Sequence, residues 1–326
     1  MNVSSRGRRA LLAALPLGAL AGTARAQAWP VRPVRLIVPY PPGGASDITA
    51  RLLGQDLAQV LGQSFVVENR GGAASLTGTQ AVATAAADGY TLGVVDTAFL
   101  VNPGLFGGRL PYDTVRDFTP VSLLVRAPLA LVVPAGEPWR ELSALVAEAR
   151  AKPESVPFGS AGNGTAVHMA GEQLRQAAGF TFLHVPYRGG GPMIADLLAG
   201  RVRMAFGTVP AIAEHVRAGR LRALAVTGAA RAPLLPEVPS MAEAGYAEVD
   251  AALINALIGP AGLPGPVVGR LASAAREVLT MPGVRARLAE IGFDSVGSTA
   301  EELRTLLATD IPRWEGIIRR GNISPD

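Results

Sequence analysis

The run Val34-Arg35-Leu36-Ile37-Val38-Pro39-Tyr40-Pro41-Pro42-Gly43-Gly44-Ala45-Ser46-Asp47 constrains this chain more than any other. A short apolar segment of buried-strand type meets prolines and glycines, which stop it and turn the chain. An amphipathic pattern from Ser46 to Leu61 then predicts a helix. Glycine removes the Cβ that would hold a ligand away from backbone N–H groups. The helix start adds unbonded donors and the positive end of a dipole of about half an elementary charge. Such a turn is a candidate anion site, although a tight strand-to-helix connection needs the same residues.

The pattern recurs. Val185-Pro186-Tyr187-Arg188-Gly189-Gly190-Gly191-Pro192-Met193-Ile194 repeats the sequence of strand end, Val-Pro-Tyr, glycines and apolar helix. A third loop, Gly159-Ser160-Ala161-Gly162-Asn163-Gly164-Thr165, precedes a helical pattern from Ala166 to Ala178. Three such turns suggest several helix N-termini around one small anion.

Short apolar runs alternating with helical patterns predict an α/β fold. Expected strands are 35–38, 65–68, 91–95, 121–125, 129–133, 182–185, 203–206 and 223–226. Expected helices are 46–61, 76–86, 140–151, 166–178, 193–199, 210–218, 266–279, 282–291 and 299–320. Ser298-Thr299-Ala300-Glu301-Glu302 supplies a capping-box pattern at the start of the last one. A length of 326 residues favours two domains, and the two Val-Pro-Tyr units place one in each of two similar lobes. The expected bounds are 27–127 with 251–326 for lobe 1 and 128–250 for lobe 2. Ligands of open α/β sheets lie beyond the carboxyl ends of the strands, so the expected site is the cleft between lobes.

Residues 1–26 read as a secretory leader. Arg6, Arg8 and Arg9 precede an apolar run from Leu11 to Ala21, and Ala24-Arg25-Ala26 is a small-x-small cleavage site. Arg8-Arg9 also permits the twin-arginine route beside the general one. The leader holds four arginines and no acid, so its removal takes Lys+Arg from 30 to 26 against 26 Asp+Glu. A formally neutral mature chain argues against nucleic-acid binding, which needs a concentrated basic face. The chain has no cysteine, which excludes disulfides, a lipobox and a thiolate nucleophile.

Catalytic constellations are weak. His168 and Glu172 share a helical face, but one histidine and one acid are too few for a metal site. His184 and His215 lack partners at metal spacing and read as structural. Ser160 lacks the G-x-S-x-G elbow because Phe158 holds the first glycine position. Lys152 is the only lysine, and no Gly-Lys-Ser/Thr phosphate loop exists. Binding asks for less: backbone donors and hydroxyls such as Ser46, Ser160 and Thr165 suffice for a carboxylate. Asp47 suits either helix capping or contact with ligand or water. Tyr40 and Tyr187 are candidate pocket walls, and Arg70 and Arg188 candidate counter-ions.

Ordered motifs over essentially the whole mature chain resemble the Bug-type solute-binding receptors of tripartite tricarboxylate transporters. They include Val38 to Gly44 with Asp47, Val67-Glu68-Asn69-Arg70, Asp88-Gly89-Tyr90-Thr91-Leu92, Pro111-Tyr112-Asp113 and Asp117-Phe118. Further on stand Ser160 to Gly164 with His168, His184-Val185-Pro186-Tyr187, and Leu221 to Thr227. The resemblance implies a hinged, two-lobed periplasmic-binding-protein (Venus-flytrap) fold, each lobe a mixed sheet flanked by helices. It implies a monomeric, non-catalytic receptor in the periplasm that needs no cofactor. Its partners would be a small organic carboxylate and the membrane subunits of a transporter. A periplasmic sensor is the alternative, and an α/β hydrolase or metal enzyme a weaker one. The expected ligand-binding residues are Tyr40, Gly43, Gly44, Ser46, Asp47, Asp96 and Thr97 in the first part of the chain. From the later loops come Ser160, Gly162, Asn163, Gly164, Thr165, His168, Thr208 and Asn255.

Three positions depart from the resemblance. Leu253-Ile254-Asn255-Ala256 stands where a Ser-Trp-Phe-Gly-like segment is usual, Gly207 where an acid is frequent, and Asp96 where a small or hydroxyl residue is frequent. An added carboxylate at Asp96 would repel a second ligand carboxylate. The expected ligand is therefore a small carboxylate with a hydroxyl, keto or amino group rather than a tricarboxylate.

Overall fold

The computed structural model describes residues 29–72 and 75–325. The expected leader lies outside the described residues.

The first half opens with β1 (Val34–Val38), α1 (Ala45–Leu61), β2 (Phe65–Asn69), α2 (Leu76–Ala83), β3 (Thr91–Asp96) and α3 (Ala98–Phe106). β4 (Phe118–Pro134) then crosses to α4 (Leu142–Ala151), β5 (Phe158–Ser160), α5 (Ala166–Ala178), β6 (His184–Pro186) and α6 (Gly190–Leu198). β7 (Met204–Thr208), α7 (Val209–Arg217) and β8 (Leu221–Val226) follow. β9 (Ala252–Pro260) returns, and α8 (Gly265–Thr280), α9 (Pro282–Glu290), β10 (Asp294–Ser295) and α10 (Ala300–Gly321) close the chain.

The strand order is β2-β1-β3-β9-β4-β7-β5-β6, with β8 and β10 also pairing to β4. β1 runs parallel to β2 and β3, whereas β9 is antiparallel to both β3 and β4. β4 is the link between two sheet halves. Its residues Phe118 to Pro128 pair with β9, and Leu129 to Pro134 pair with β7 and β8. Each half is mixed and carries its own helices, so the molecule is α/β with two lobes sharing one strand.

The sequence reading of two strands, 121–125 and 129–133, is corrected to this single strand. Pro128 looks like a break because proline has no N–H to give a ladder. It sits at the point where β4 exchanges one partner for another. The reading also missed β9 and α3. β9 is buried almost throughout and shows no two-residue alternation. α3 contains Pro103. α6 begins at Gly190, three residues before the expected start.

α1 forms because its apolar and small residues recur on one face. Ala50, Leu53, Leu57 and Leu61 are buried at that spacing, and Gly62 ends the helix in the left-handed region at φ 73°. Those side chains join a core with β1, β3 and α8. A second apolar cluster lies under α6 and α7, and the largest runs through both halves, from Phe99 and Trp314 to Phe158 and Met204. The junction is braced by polar groups. Arg313 of α10 holds Asp250 at 2.7 Å, and Gln173 of α5 reaches the same carboxylate at 3.1 Å. The capping box at Thr299 and Glu302 forms as expected.

Candidate functional site

A cavity of about 580 Å³ lies where the two halves face each other. Helix starts from both halves line it. α1 contributes Gly44, Ala45 and Ser46, and α3 contributes Ala98. α5 contributes Thr165, Ala166 and Val167, α6 contributes Gly189 and Gly190, and α7 follows Thr208. Five N-termini therefore point their positive ends at one space. Among the described residues, the N–H groups of Ala45, Ser46, Ala166 and Val167 have no acceptor. A carboxylate there would receive charge-assisted hydrogen bonds.

Six of the expected site residues line this cavity: Tyr40, Gly44, Ser46, Asp96, Thr165 and Thr208. The others lie behind it or beside it. Asp47 accepts from Gly43 N–H at 2.9 Å, from Arg51 at 3.0 Å and from Asn69 at 2.9 Å. Burial opposes its charge, but those hydrogen bonds hold its carboxyl below the usual range. Asp47 thus fixes the shape of the turn that carries Gly43, whose φ of 89° suits glycine. Thr97 accepts from Ile254 N–H and donates to the Ala252 carbonyl, stitching β3 to β9.

Beneath the α5 loop lies a packed set. Ser160 is fully buried, with Oγ 2.7 Å from His184 Nε2 and a hydrogen bond from Gly162 N–H. His168 stacks on His184 with ring centroids 4.1 Å apart and accepts from Gly164 N–H at 3.1 Å. Burial, helped by His184 and Arg175, pushes His168 down to about 3, so its ring is neutral and can accept. Asn163 donates to the Ser324 carbonyl at 3.3 Å. Glu172 pairs with Arg175 at 2.7 Å rather than with His168. No group of three or more metal-ligating side chains occurs among the described residues.

Asp96, at the end of β3, brings the cavity its carboxyl. Oδ1 accepts from Tyr40 Oη at 2.7 Å and from Ala98 N–H at 2.9 Å. Burial is the main cause that raises its pKa, and these two hydrogen bonds offset part of the rise. Tyr40 is pushed well up by burial and by the Asp96 charge, so it stays a donor. Asn255, fully buried, donates from Nδ2 to Ser46 Oγ at 2.8 Å, and the same nitrogen faces the Val95 carbonyl. Arg188 is the only cation among the lining residues, and it makes no ion pair among the described residues. Arg70 is bound instead to Glu68 at 2.6 Å, and Tyr187 turns its hydroxyl to Asp196 at 2.9 Å.

Sequence reasoning missed the apolar wall. Leu129, Met193, Ile194, Ala211 and Leu253 complete the cavity. Gly207 belongs to that wall, and a Cβ there would lie 2.6 Å from Ile212 Cγ2. Only the run Gly189 to Ile194, already conspicuous as a repeat, gave a local signal.

A cavity between two α/β lobes, ringed by helix N-termini and crossed by a shared strand, defines a solute-binding protein. The chain belongs to the tripartite tricarboxylate transporter receptor family, whose model matches residues 49–323. It is 37% identical over 301 residues to Protein BugT of Bordetella pertussis, covering 92% of each chain. Among solved structures, that of the periplasmic binding protein BugD has a TM-score of 0.78 and 29% identity, over 91% of this chain and 100% of that one. Rpa4515 of R. palustris with adipate has a TM-score of 0.80 and 33% identity, over 91% of this chain and 100% of that one. MatC of Rhodopseudomonas palustris with bound malate has a TM-score of 0.77 and 29% identity, over 89% and 100%.

Proposed function

We propose that this chain is an exported, non-catalytic receptor that captures a small organic carboxylate between its lobes and delivers it to the membrane subunits of a tripartite transporter. The observation that carries this reading is the ring of N-termini with unbonded donors at Ala45, Ser46, Ala166 and Val167. Family membership supports delivery to a transporter. Adipate and malate in two related structures support a carboxylate ligand. The leader is cleaved after Ala26 and the product resides in the periplasm. The lobes span 27–127 with 251–326, and 128–250, with the hinge in β4 near Pro128 and the return near Ala251. Tyr40, Gly44, Ser46, Asp96, Thr165 and Thr208 face the ligand. Gly43, Asp47, Thr97, Ser160, Gly162, Asn163, Gly164, His168 and Asn255 hold those groups in place.

A thermal-shift screen of the purified exported chain tests the reading. Mono-, di- and tricarboxylates are compared with their neutral amides. At least one carboxylate should raise the melting temperature while its amide does not. A chain that no carboxylate stabilises would contradict the proposal.

A further inference from the structure

The cavity carries donors and an acceptor next to each other. The free donors of α1 and α5 await an anion, and Arg188 is a further lining residue. Asp96 stands beside the start of α1: it pairs with Asn255 across β3 and β9, and Asn255 donates to Ser46. Asp96 Oδ1 accepts two hydrogen bonds, its own backbone N–H also bonds the carboxyl, and no donor from another residue reaches Oδ2 among the described residues. An ionised carboxylate is an acceptor only, so this open oxygen calls for a donor on the occupant. No basic side chain of the protein forms an ion pair with it among the described residues.

The rest of the lining is largely apolar: Leu129, Val167, Met193, Ile194, Ala211 and Leu253. Ile212 already fills the space a side chain at Gly207 would need, so this wall has no room for a polar group there. A second ligand carboxylate laid on this wall would lose its water and gain no partner. One aimed at Asp96 would meet a like charge. Ser46 adds a further donor for the anion. Its Oγ accepts from Asn255 Nδ2, which leaves the hydroxyl proton for the occupant. Asn255 is a positioning residue in this arrangement.

Resting on the reading of the cavity as a carboxylate site, we infer that its occupant is a zwitterion with an apolar body: an amino acid with an aliphatic or aromatic side chain. Its carboxylate takes the N-termini of α1 and α5, its ammonium meets Asp96, and its side chain fills the Met193–Leu253 wall. The volume of about 580 Å³ accommodates such a molecule.

Calorimetry with the exported chain tests this. The probes are leucine and phenylalanine, their deaminated analogues isocaproate and hydrocinnamate, the hydroxy analogue leucic acid, and malate and adipate. At least one of the two amino acids should bind more than about tenfold tighter than its deaminated or hydroxy analogue and than either dicarboxylate, a difference of about 1.4 kcal/mol. Asp96→Asn should remove that preference by weakening the amino acid while sparing the deaminated acid. Tighter or equal binding of isocaproate, hydrocinnamate, leucic acid, malate or adipate would overturn the inference and leave the carboxylate reading standing. So would a folded Asp96→Asn variant that keeps the preference. Failure of all seven probes would overturn both. The wild-type comparison does not depend on how the variant folds.

Discussion

The Tyr40 hydroxyl donates to Asp96 Oδ1 at 2.7 Å, joining the glycine turn after β1 to the end of β3. One end of this bond belongs to the most conspicuous motif in the sequence. The other is a position where the chain departs from the receptors it resembles. Tyr40→Phe removes one of the two donors to Oδ1 while keeping the ring. It should weaken the binding of whichever carboxylate the chain takes by about tenfold, or ~1.4 kcal/mol, as read by calorimetry.

Asp96 should also cost stability at neutral pH. Burial holds its folded pKa above the unfolded value. The native state therefore keeps this proton longer than the unfolded state. Its stability contribution is fullest below the unfolded value of about 3.9 and declines as pH rises through the folded one. Asp96→Asn preserves an acceptor for Tyr40 and Ala98 without the charge. Its melting temperature should exceed that of the wild type at neutral pH, with the gap closing as the solution is acidified into the carboxylate range. An unchanged melting temperature at neutral pH would show that solvent already neutralises the buried charge.

His168 has the opposite sense. Its folded pKa, about 3, lies below the ordinary histidine value of 6.5, so the unfolded state binds the proton first on acidification. The wild type should lose stability as pH falls below about 6.5, by up to ~1.4 kcal/mol per unit from this group. His168→Asn can still accept from Gly164 N–H without binding a proton. Urea denaturation at several pH values should give a shallower acid slope for the variant. Equal slopes would assign the acid sensitivity to other groups.

Gly44→Val separates binding from folding. Gly44 has an extended backbone at φ −78° and ψ 169°, and the nearest atom to an added Cβ is the Pro41 carbonyl at 3.9 Å. The fold should tolerate valine, but its branches enter the cavity beside the α1 donors. Affinity should fall more than about tenfold, with the denaturation midpoint little changed. A folded variant with wild-type affinity would move the anion away from α1.

Gly207→Asp behaves differently because Ile212 Cγ2 occupies the space the new side chain needs, only 2.6 Å from its Cβ. Overpacking of this kind costs about 1–3 kcal/mol. Combined with Ile212→Ala, the aspartate should cost less than the sum of the two single changes. Additive losses would show that the two positions do not compete for space.

The parts legible in sequence were those with local signatures. Val34 to Leu61 declared a strand, turn and helix because prolines, glycines and apolar spacing lie within one short window. Thr299 and Glu302 declared a helix start for the same reason. β9 escaped because a strand buried on both faces has no alternation. α3 escaped because Pro103 reads as a breaker. Losing β9 hid the pairing of Asp96 with Asn255, and losing α3 hid the Ala98 donor to Asp96. The glycine loop at 159–165 was legible as a loop. That Ser160 is hydrogen-bonded to His184 and His168 stacked on it, instead of lining the cavity, is a tertiary outcome no local pattern encodes.

The central claim is that helix N-termini from both lobes hold one carboxylate. The measurement that meets it most directly is a crystal structure with the carboxylate that stabilises the chain most in the thermal-shift screen. The account predicts carboxylate oxygens within hydrogen-bonding distance, about 2.7–3.2 Å, of N–H groups from both α1 at Ala45–Ser46 and α5 at Ala166–Val167. A carboxylate bound outside this cavity, or held by one lobe alone, would contradict it.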